Sequence, residues 1–171
     1  MPSLSLQHAS LDERGALENL LQLYAHDFSE FSPEDEHTYE LDADGRFEPY
    51  PHLDLYWREE GRLPLLIRLD GVLIGFALLN RVSPSGAAVD YNLAEFFIAR
   101  KYRRNRLGSA AAEEIFARYP GRWEVAVTQH NLSALVFWQS AIRAHLKEGS
   151  LEQISGDGAR WRGPIFRFTS R

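Results

Sequence analysis

The stretch from residue 96 to residue 110 joins an apolar strand to a helix through a strongly basic turn. Residues 96–98 are apolar, five of the seven residues from 100 to 106 are Arg or Lys, and small residues follow at 108–110. Amide N–H groups in the first turn of a helix have no partner inside the helix, and the helix dipole favours negative charge there. The pattern therefore predicts a phosphorylated ligand at a strand–helix junction. A merely solvated charged loop is the competing interpretation.

Length and composition favour a single domain over residues 1–171. The chain is 44% hydrophobic, and domains of roughly 100–200 residues are common, so one core of ordinary size is expected. It contains no cysteine, which excludes disulfides, thiolate metal ligands and a cysteine nucleophile. No apolar run approaches the roughly 20 residues of a membrane span, and the histidines have no metal-ligand spacing. We therefore expect a cytoplasmic protein with no membrane partner and no metal.

Charge is distributed unevenly along the chain. The formal net charge is −5, which opposes a general affinity for nucleic acid. Residues 27–44 contain eight acidic residues and no Lys or Arg, whereas residues 100–106 are basic and include Tyr102 as their one aromatic residue. A stacking platform for RNA is therefore lacking. We predict no nucleic-acid partner. The uneven charge further predicts that one region of the protein attracts cations and that the other attracts a polyanion.

Hydrophobic periodicity predicts an α/β (α+β) layer structure around one mixed sheet. The dipeptide Asp-Gly at 70–71 separates two apolar runs and predicts a hairpin. Residues 29–50 have no clear periodicity, and connections of this length are usually functional or mobile. Predicted strands cover residues 4–8, 64–69, 72–80, 88–98, 123–127, 151–154 and 165–169, and predicted helices cover 11–25, 53–59, 107–119 and 131–144.

The basic turn resembles the phosphate-binding signature of the GNAT superfamily of N-acetyltransferases. That signature has Arg or Gln, two variable residues, Gly, one variable residue, and then Gly or Ala. Arg103 and Gly108 match its two ends, and Arg106 replaces its first glycine. The resemblance implies a mixed, mainly antiparallel central sheet flanked by helices on both faces. It also implies transfer of an acetyl group from acetyl-CoA to an amine by direct attack in a ternary complex.

By this resemblance the cofactor lies along the strand before the turn, on the turn itself and at the start of a later helix. Arg106 fits the glycine position if its φ is negative, because a positive φ costs a non-glycine residue about 1 kcal/mol or more. The implied cofactor-binding residues are Phe97, Ile98, Arg103, Arg104, Asn105, Arg106, Leu107, Gly108, Ser109, Asn131, Phe137 and Trp138.

A second family element, Asn-x-x-Ala-x-x-Phe-Tyr, is matched from Asn131 to Phe137, with Trp138 in place of the tyrosine. In many relatives that tyrosine protonates the departing thiolate, a step that an indole N–H cannot perform. Three alternatives follow. Water protonates the thiolate, another residue such as Tyr24 or Tyr39 does so, or the protein is a non-catalytic acyl-CoA sensor. Trp138 can also be interpreted simply as a core residue.

Glu95 is the candidate general base. An alkylammonium acceptor has a pKa near ~10 and must lose a proton before it attacks a thioester, a step that a carboxylate assists. Relatives often have a glutamate at this strand position. Strand alternation predicts that Glu95 shares a face with Leu93 and Phe97, and an apolar setting raises the pKa of a carboxyl group. The competing interpretation is an exposed strand residue or a salt-bridge partner.

In the family, the region that corresponds to residues 27–44 borders the acceptor groove. The aromatic residues implied there are Phe28, Phe31 and Tyr39 as substrate-binding residues, with Tyr50, Tyr56 and Trp57 as further walls. Together with the acidic residues Glu30, Glu34 and Asp35, they predict a small-molecule or peptide amine that is cationic and partly apolar or aromatic. A solvated acidic loop is the alternative. The sequence leaves open whether the chain forms a homodimer.

Overall fold

A computed structural model of the protein describes residues 2–32 and 37–171, and within these residues seven strands form one sheet. The strands are β1 (Leu4–His8), β2 (Leu63–Leu69), β3 (Val72–Asn80), β4 (Tyr91–Ile98), β5 (Gly121–Ala126), β6 (Glu152–Ser155) and β7 (Pro164–Ser170). Their order across the sheet is β1-β2-β3-β4-β5-β7-β6. Every neighbouring pair is antiparallel except β4 and β5, which are parallel. The predicted mixed, mainly antiparallel sheet is confirmed.

The helices α1 (Arg14–Phe28), α2 (Leu107–Arg118) and α3 (Leu132–Leu146) lie near their predicted positions. The predicted start of α1 at residue 11 is three residues early, because Leu11–Glu13 forms a 3-10 turn. Asn131 fixes the start of α3, since its Oδ1 accepts a hydrogen bond from the Ala134 amide at 3.0 Å. The predicted short helix at 53–59 is a 3-10 helix over Leu53–Trp57. Among the described residues, no helix combines the length and apolar character needed to cross a bilayer.

Apolar side chains fill both faces of the sheet. The helical spacing of Leu17, Leu20 and Leu21 turns one face of α1 onto one side of the sheet, where these residues are buried. On the opposite side, α2 and α3 bury residues such as Ile115 and Ile142. Full burial of a side chain of this size contributes about 1.5–3 kcal/mol. The prediction that helices flank the sheet on both faces is therefore confirmed.

A β-bulge interrupts the alternation of β4 just before the candidate base. Two successive residues of β3 pair with Glu95 and Leu93, so β4 carries one extra residue, Ala94, at this point. An extra residue reverses the face to which the preceding side chains point. Leu93 consequently packs on the α2 and α3 side, whereas Phe97 packs on the α1 side. The prediction that Leu93 shares a face with Glu95 and Phe97 is wrong for Leu93.

The parallel strands β4 and β5 separate soon after they meet. In the described residues they pair only at Tyr91 with Trp123 and at Asn92 with Glu124. The bulge follows directly, and the edge of β4 from residue 93 to residue 98 has no strand hydrogen-bonded on the β5 side. The sheet is thereby opened in its middle. Residues on both sides of this opening line a cleft of about 1830 Å³.

Candidate functional site

The amide-rich end of the cleft is the turn between β4 and α2. The first amide of α2 with a main-chain partner is that of Ala110, which donates to the Arg106 carbonyl at 2.9 Å. Within the described chain, the amides of residues 104–109 have no hydrogen-bond acceptor. Arg106 has a φ of 60° and Arg104 a φ of 64°, so both adopt the left-handed conformation. The sequence-based condition of a negative φ at Arg106 is therefore not met, and Arg106 adopts the backbone conformation that glycine favours.

Two of the cations in this turn are paired inside the protein. Asp27, in the last turn of α1, accepts hydrogen bonds from Arg103 and, at 2.8 Å, from Arg100. Burial alone would raise the pKa of the Asp27 carboxyl, but the bonds from both guanidinium groups lower that pKa below its usual value. Arg104 and Arg106 also line the cleft, are exposed and have no ion pair among the described residues. They are cations of the cleft wall that are available to an anionic ligand, whereas Arg103 is occupied by Asp27.

The open edge of β4 presents main-chain groups to the cleft. The amide of Ala99 donates to a β3 carbonyl at 2.8 Å, and main-chain groups of alternate strand residues point to opposite edges. The N–H and C=O of Phe97 therefore point to β3, while those of Phe96 and Ile98 face the cleft. Ile98 O already accepts a hydrogen bond from Arg103 Nε at 2.6 Å. Of the two predicted strand residues, Ile98 directs its main-chain N–H to the cleft, and Phe97 is part of the cleft wall.

The start of α3 closes the cleft opposite β4. Asn131 lines the cleft and uses Oδ1 as the helix cap, and its Nδ2 has no partner within the described residues. A Cβ added to Gly108 would lie 3.4 Å from the ring of Phe137, which is an ordinary van der Waals contact, so α2 already lies close to α3 at this residue. Trp138 is 7% exposed and packs edge-on against Phe137 and Phe96 at centroid distances of 4.7 and 5.0 Å. Trp138 is thus a core residue that also reaches the cleft wall.

Glu95 lies at the other end of the cleft, held by two tyrosines. Its Oε2 accepts a hydrogen bond from Tyr24 Oη, and its Oε1 accepts one from Tyr50 Oη at 3.0 Å. No Arg, Lys or His of the described residues pairs with it. Burial raises the pKa of Glu95 to about 7, and the two phenol hydrogen bonds act in the opposite direction. The salt-bridge interpretation is excluded within the described chain, and a carboxyl of this pKa exchanges protons near neutrality.

Aromatic rings from α1 and the segment after it form the wall around Glu95. Phe28 lies 4.3 Å from Tyr24, 6.0 Å from Phe31 and 6.4 Å from Tyr39, measured between ring centroids. The three predicted substrate-binding residues therefore adjoin one another on the cleft wall. Tyr50 also lines the cleft, but the predicted walls Tyr56 and Trp57 do not. Tyr56 is buried beside Asn80, and Trp57 Nε1 donates to Ala9 O at 2.8 Å.

Acidic side chains surround this aromatic wall. Glu30, Glu40 and Glu48 line the cleft and are exposed, as is the cation Arg46 beside them. Glu34 and Asp35, which the sequence also suggests for this wall, lie outside the described residues. Within residues 2–32 and 37–171, no three His, Asp or Glu side chains are grouped closely enough to hold a metal ion.

The sequence profile of the Acetyltransferase (GNAT) family matches residues 17–141, which include the strand, the basic turn and the start of α3. The chain belongs to the GNAT family. No curated protein matches the sequence significantly.

Solved structures show the same fold as this GNAT chain at low sequence identity. An acetyltransferase from Thermus thermophilus is 16% identical with a TM-score of 0.66, covering 98% of this chain and 96% of its own. The PaiA N-acetyltransferase from Thermoplasma acidophilum, in complex with coenzyme A, is 15% identical with a TM-score of 0.60. The match covers 98% of this chain and 99% of that protein. An aminoglycoside acetyltransferase in complex with coenzyme A and kanamycin is 14% identical with a TM-score of 0.63. The match covers 99% of this chain and 95% of that protein.

Two features of this GNAT site are missing from the sequence-based prediction. One is the role of Asp27, although a signal for it exists. An acid in the last turn of a helix is disfavoured by the helix dipole, which suggests that it has a cationic partner. The other is the pair of tyrosine donors to Glu95, which come from positions 71 and 45 residues away and have no signature in the sequence.

A second hydrogen-bonded line of side chains in this GNAT chain lies outside the cleft. Glu113 Oε2 lies 2.9 Å from His145 Nδ1, and His145 Nε2 lies 2.8 Å from Ser170 Oγ. This order resembles the triad of serine hydrolases. Ser170, however, is 2% exposed, and its hydroxyl donates to Phe116 O at 2.7 Å. The line therefore ties β7 to α2 and α3 and offers no accessible nucleophile.

Proposed function

We propose that this GNAT chain is an N-acetyltransferase that passes the acetyl group of acetyl-CoA directly to an amine. The observation that carries the proposal is one cleft with free amides and cations at one end and the carboxylate of Glu95 at the other. The coenzyme A present in two structures of the same fold supports the choice of cosubstrate. We further infer one catalytic domain over residues 1–171 and activity in the cytoplasm.

The cosubstrate would be held mainly by main-chain groups. The amides of residues 104–109 would bind the pyrophosphate, assisted by the side chains of Arg104 and Arg106. Pantetheine would lie along the free edge of β4 at Phe96 and Ile98, with Asn131 Nδ2 as a further donor. An N–H on this edge would polarise the thioester carbonyl and stabilise the oxyanion that forms during attack. Asn105 and Leu107 would contribute their amides, and Phe137 would support the helix start.

Glu95 would accept the proton that the amine loses, directly or through water. The amine nitrogen then attacks the thioester carbon, the carbon–sulfur bond breaks, and the thiolate of coenzyme A leaves. Tyr24 donates its one hydroxyl proton to Glu95, so it is not free to protonate that thiolate. Trp138 offers no exchangeable proton of suitable acidity. Water is therefore the inferred proton source, with Tyr39 on the same wall as the alternative.

The acceptor is inferred to be a cationic amine with an apolar or aromatic part. Phe28, Phe31 and Tyr39 would pack against its apolar part, and Glu30 and Glu48 would attract its charge. The exposed position of these acids means that they affect acceptor affinity more than the rate of the chemical step.

Release of coenzyme A in the presence of an amine panel tests the proposed reaction. We expect turnover with cationic aryl or alkyl amines, and intersecting initial-velocity lines when both substrates are varied, because no cysteine can carry the acetyl group. Parallel lines would indicate a covalent intermediate and contradict direct transfer. Tight binding of acetyl-CoA without release by any amine would contradict the enzyme assignment.

A non-catalytic acyl-CoA sensor is the second candidate function, and Trp138 is the observation that favours it. A sensor would bind acetyl-CoA and release none of it as coenzyme A. Trp138→Tyr separates the two cases, because it restores the residue that many relatives have. A variant that gains turnover from an inactive parent would favour the sensor, and an active parent would exclude it.

A further inference from the structure

The carboxylate of Glu95 is clamped between two walls of the cleft. Tyr24 belongs to α1, and Tyr50 belongs to the segment between α1 and β2, yet their hydroxyls reach different oxygens of the same carboxylate. Each phenol therefore donates its single proton to Glu95. The carboxylate is fixed in orientation as well as in position, because a rotation would break both hydrogen bonds.

Both tyrosines are themselves held in place. The ring of Tyr24 packs against Phe28 at 4.3 Å, and against Phe76 and Phe97 at 5.8 and 6.4 Å between centroids. Tyr50 lies between Pro49 and Pro51. A following proline restricts the backbone to extended conformations, which limits the directions in which the Tyr50 side chain can point. The two donors are thus preorganised before any ligand binds.

Within residues 2–32 and 37–171, no cation compensates the charge of Glu95. The titratable groups that face it are Tyr24 from α1, Tyr39 and Tyr50 from the following segment, and Tyr56 from the 3-10 helix. Its β3 partner Leu78 and its neighbours Ala94 and Phe96 carry no charge. Burial acts against ionisation of this carboxyl, and the phenol hydrogen bonds oppose that effect. The ionised form therefore depends on the two tyrosines.

We propose that Tyr24 and Tyr50 are positioning residues that keep the Glu95 carboxylate ionised and directed into the cleft. The inference rests on the proposed acetyl transfer, in which Glu95 accepts the proton of the amine. Burial raises the pKa of Glu95, and each phenol hydrogen bond lowers it. Removing either donor therefore makes Glu95 titrate at higher pH. A hydrogen bond to a charged group corresponds to a shift of about one pH unit or more.

The test compares wild type, Tyr24→Phe, Tyr50→Phe and Tyr91→Phe. The substitutions keep every ring, and thermal melting checks that each variant is folded. Tyr91→Phe is the matched control, because Tyr91 lies on the same strand as Glu95, does not line the cleft and makes no hydrogen bond to Glu95. The first measurement is the pH titration of the Glu95 side-chain carboxyl carbon by NMR. The second is the pH dependence of kcat/KM with one amine throughout, so that the titration of the amine is common to all variants.

We expect the Glu95 titration and the acidic limb of kcat/KM to move together to higher pH in Tyr24→Phe and Tyr50→Phe, and to stay in place in Tyr91→Phe. An unmoved Glu95 titration overturns the clamp. A moved titration with an unmoved kinetic limb overturns its role in the reaction. Absence of turnover in the wild type contradicts the proposed function instead, and the NMR titration still decides whether the two hydroxyls hold the carboxylate.

Discussion

The two ends of the cleft are built in different ways. At the cofactor end, one continuous segment around residues 98–109 supplies the free amides and the two unpaired arginines. At the acceptor end, α1, the segment after it and β4 each supply one member of the group Tyr24, Tyr50 and Glu95. The first end depends on where the main-chain N–H groups of one turn point. The second relies on side chains that are brought together only by the complete fold.

This difference explains how each end tolerates sequence change. Main-chain amides are present whatever the side chain, so the turn keeps its donors although Arg106 replaces a glycine. A hydrogen bond between side chains is lost with a single atom, as in a change from Tyr to Phe. We therefore expect substitutions of Glu95, Tyr24 or Tyr50 to affect the chemical step, and substitutions at the cofactor end to matter mainly when they alter the backbone.

Glu95→Gln gives the largest expected effect, because it removes the proton acceptor. General-base groups typically contribute roughly 10²- to 10⁴-fold in rate, so we expect kcat near neutral pH to fall within that range. The affinity for acetyl-CoA, measured by calorimetry, should be unchanged because the amides of residues 104–109 are untouched. A parallel loss of acetyl-CoA affinity would mean that the two ends are not independent.

Ser109→Pro gives the next largest effect, because it removes one amide donor from the turn. Proline is tolerated in the first turn of a helix, and the Ser109 amide has no acceptor in the described chain. Loss of a hydrogen bond to a charged group should weaken coenzyme A binding roughly 10- to 100-fold.

Ser109→Ala is the matched control, since it removes the hydroxyl and keeps the amide. Equal losses in the two variants would show that the side chain binds the ligand and the backbone does not. A bulky residue at Gly108 would be less informative, because the Phe137 ring lies only 3.4 Å from the Cβ position and the atoms beyond the Cβ would disturb the packing of α2 on α3.

Arg106→Gly separates backbone strain from the charge of the side chain. Glycine relieves the strain of the left-handed conformation, but it also makes the unfolded chain more flexible, which offsets part of the gain. We expect the free energy of unfolding, measured in urea, to rise by about 0.5–1 kcal/mol. Loss of one exposed charge should weaken coenzyme A binding by less than about 5-fold. Arg106→Ala keeps the Cβ and should lose affinity without gaining stability. A gain of equal size in both variants would argue against strain at this position.

The smallest expected effect concerns the acidic rim of the acceptor end. The double variant Glu30→Gln with Glu48→Gln should raise KM for a cationic amine by about 2- to 5-fold, because exposed charges contribute little each. The increase should shrink at high salt, and an amine without a second positive charge serves as the control acceptor. An unchanged KM for the cationic amine would remove the acids from acceptor recognition.

Local patterns in the sequence predicted much of the fold and part of the site. The Asp-Gly hairpin at 70–71 and the helices that begin near Leu107 and Asn131 are each determined by neighbouring residues, and the structure confirms them. The Leu93 prediction failed because a β-bulge depends on the pairing of β4 with β3, which has no local signature. The prediction of Tyr56 and Trp57 as groove walls is wrong, because the presence of aromatic residues in a segment does not specify which side of a turn each ring faces.

The contacts of Asp27 and of the two tyrosines illustrate the limit of sequence reasoning. Asp27 bonds to arginines more than 70 residues further along the chain, and Tyr24 and Tyr50 meet Glu95 from two separate segments. Such contacts are determined by helix packing and by the path of the connecting segment. They become visible only when the whole chain is folded.

The most direct test of the central claim is an amide NMR titration of the protein with coenzyme A. A phosphate oxygen that accepts a hydrogen bond from an amide shifts the resonance of that amide strongly. We predict that the largest shifts fall on the amides of residues 104–109, and that Ser109→Ala keeps this pattern. Shifts concentrated elsewhere, or no shifts at millimolar coenzyme A, would contradict the claim that this turn binds the pyrophosphate.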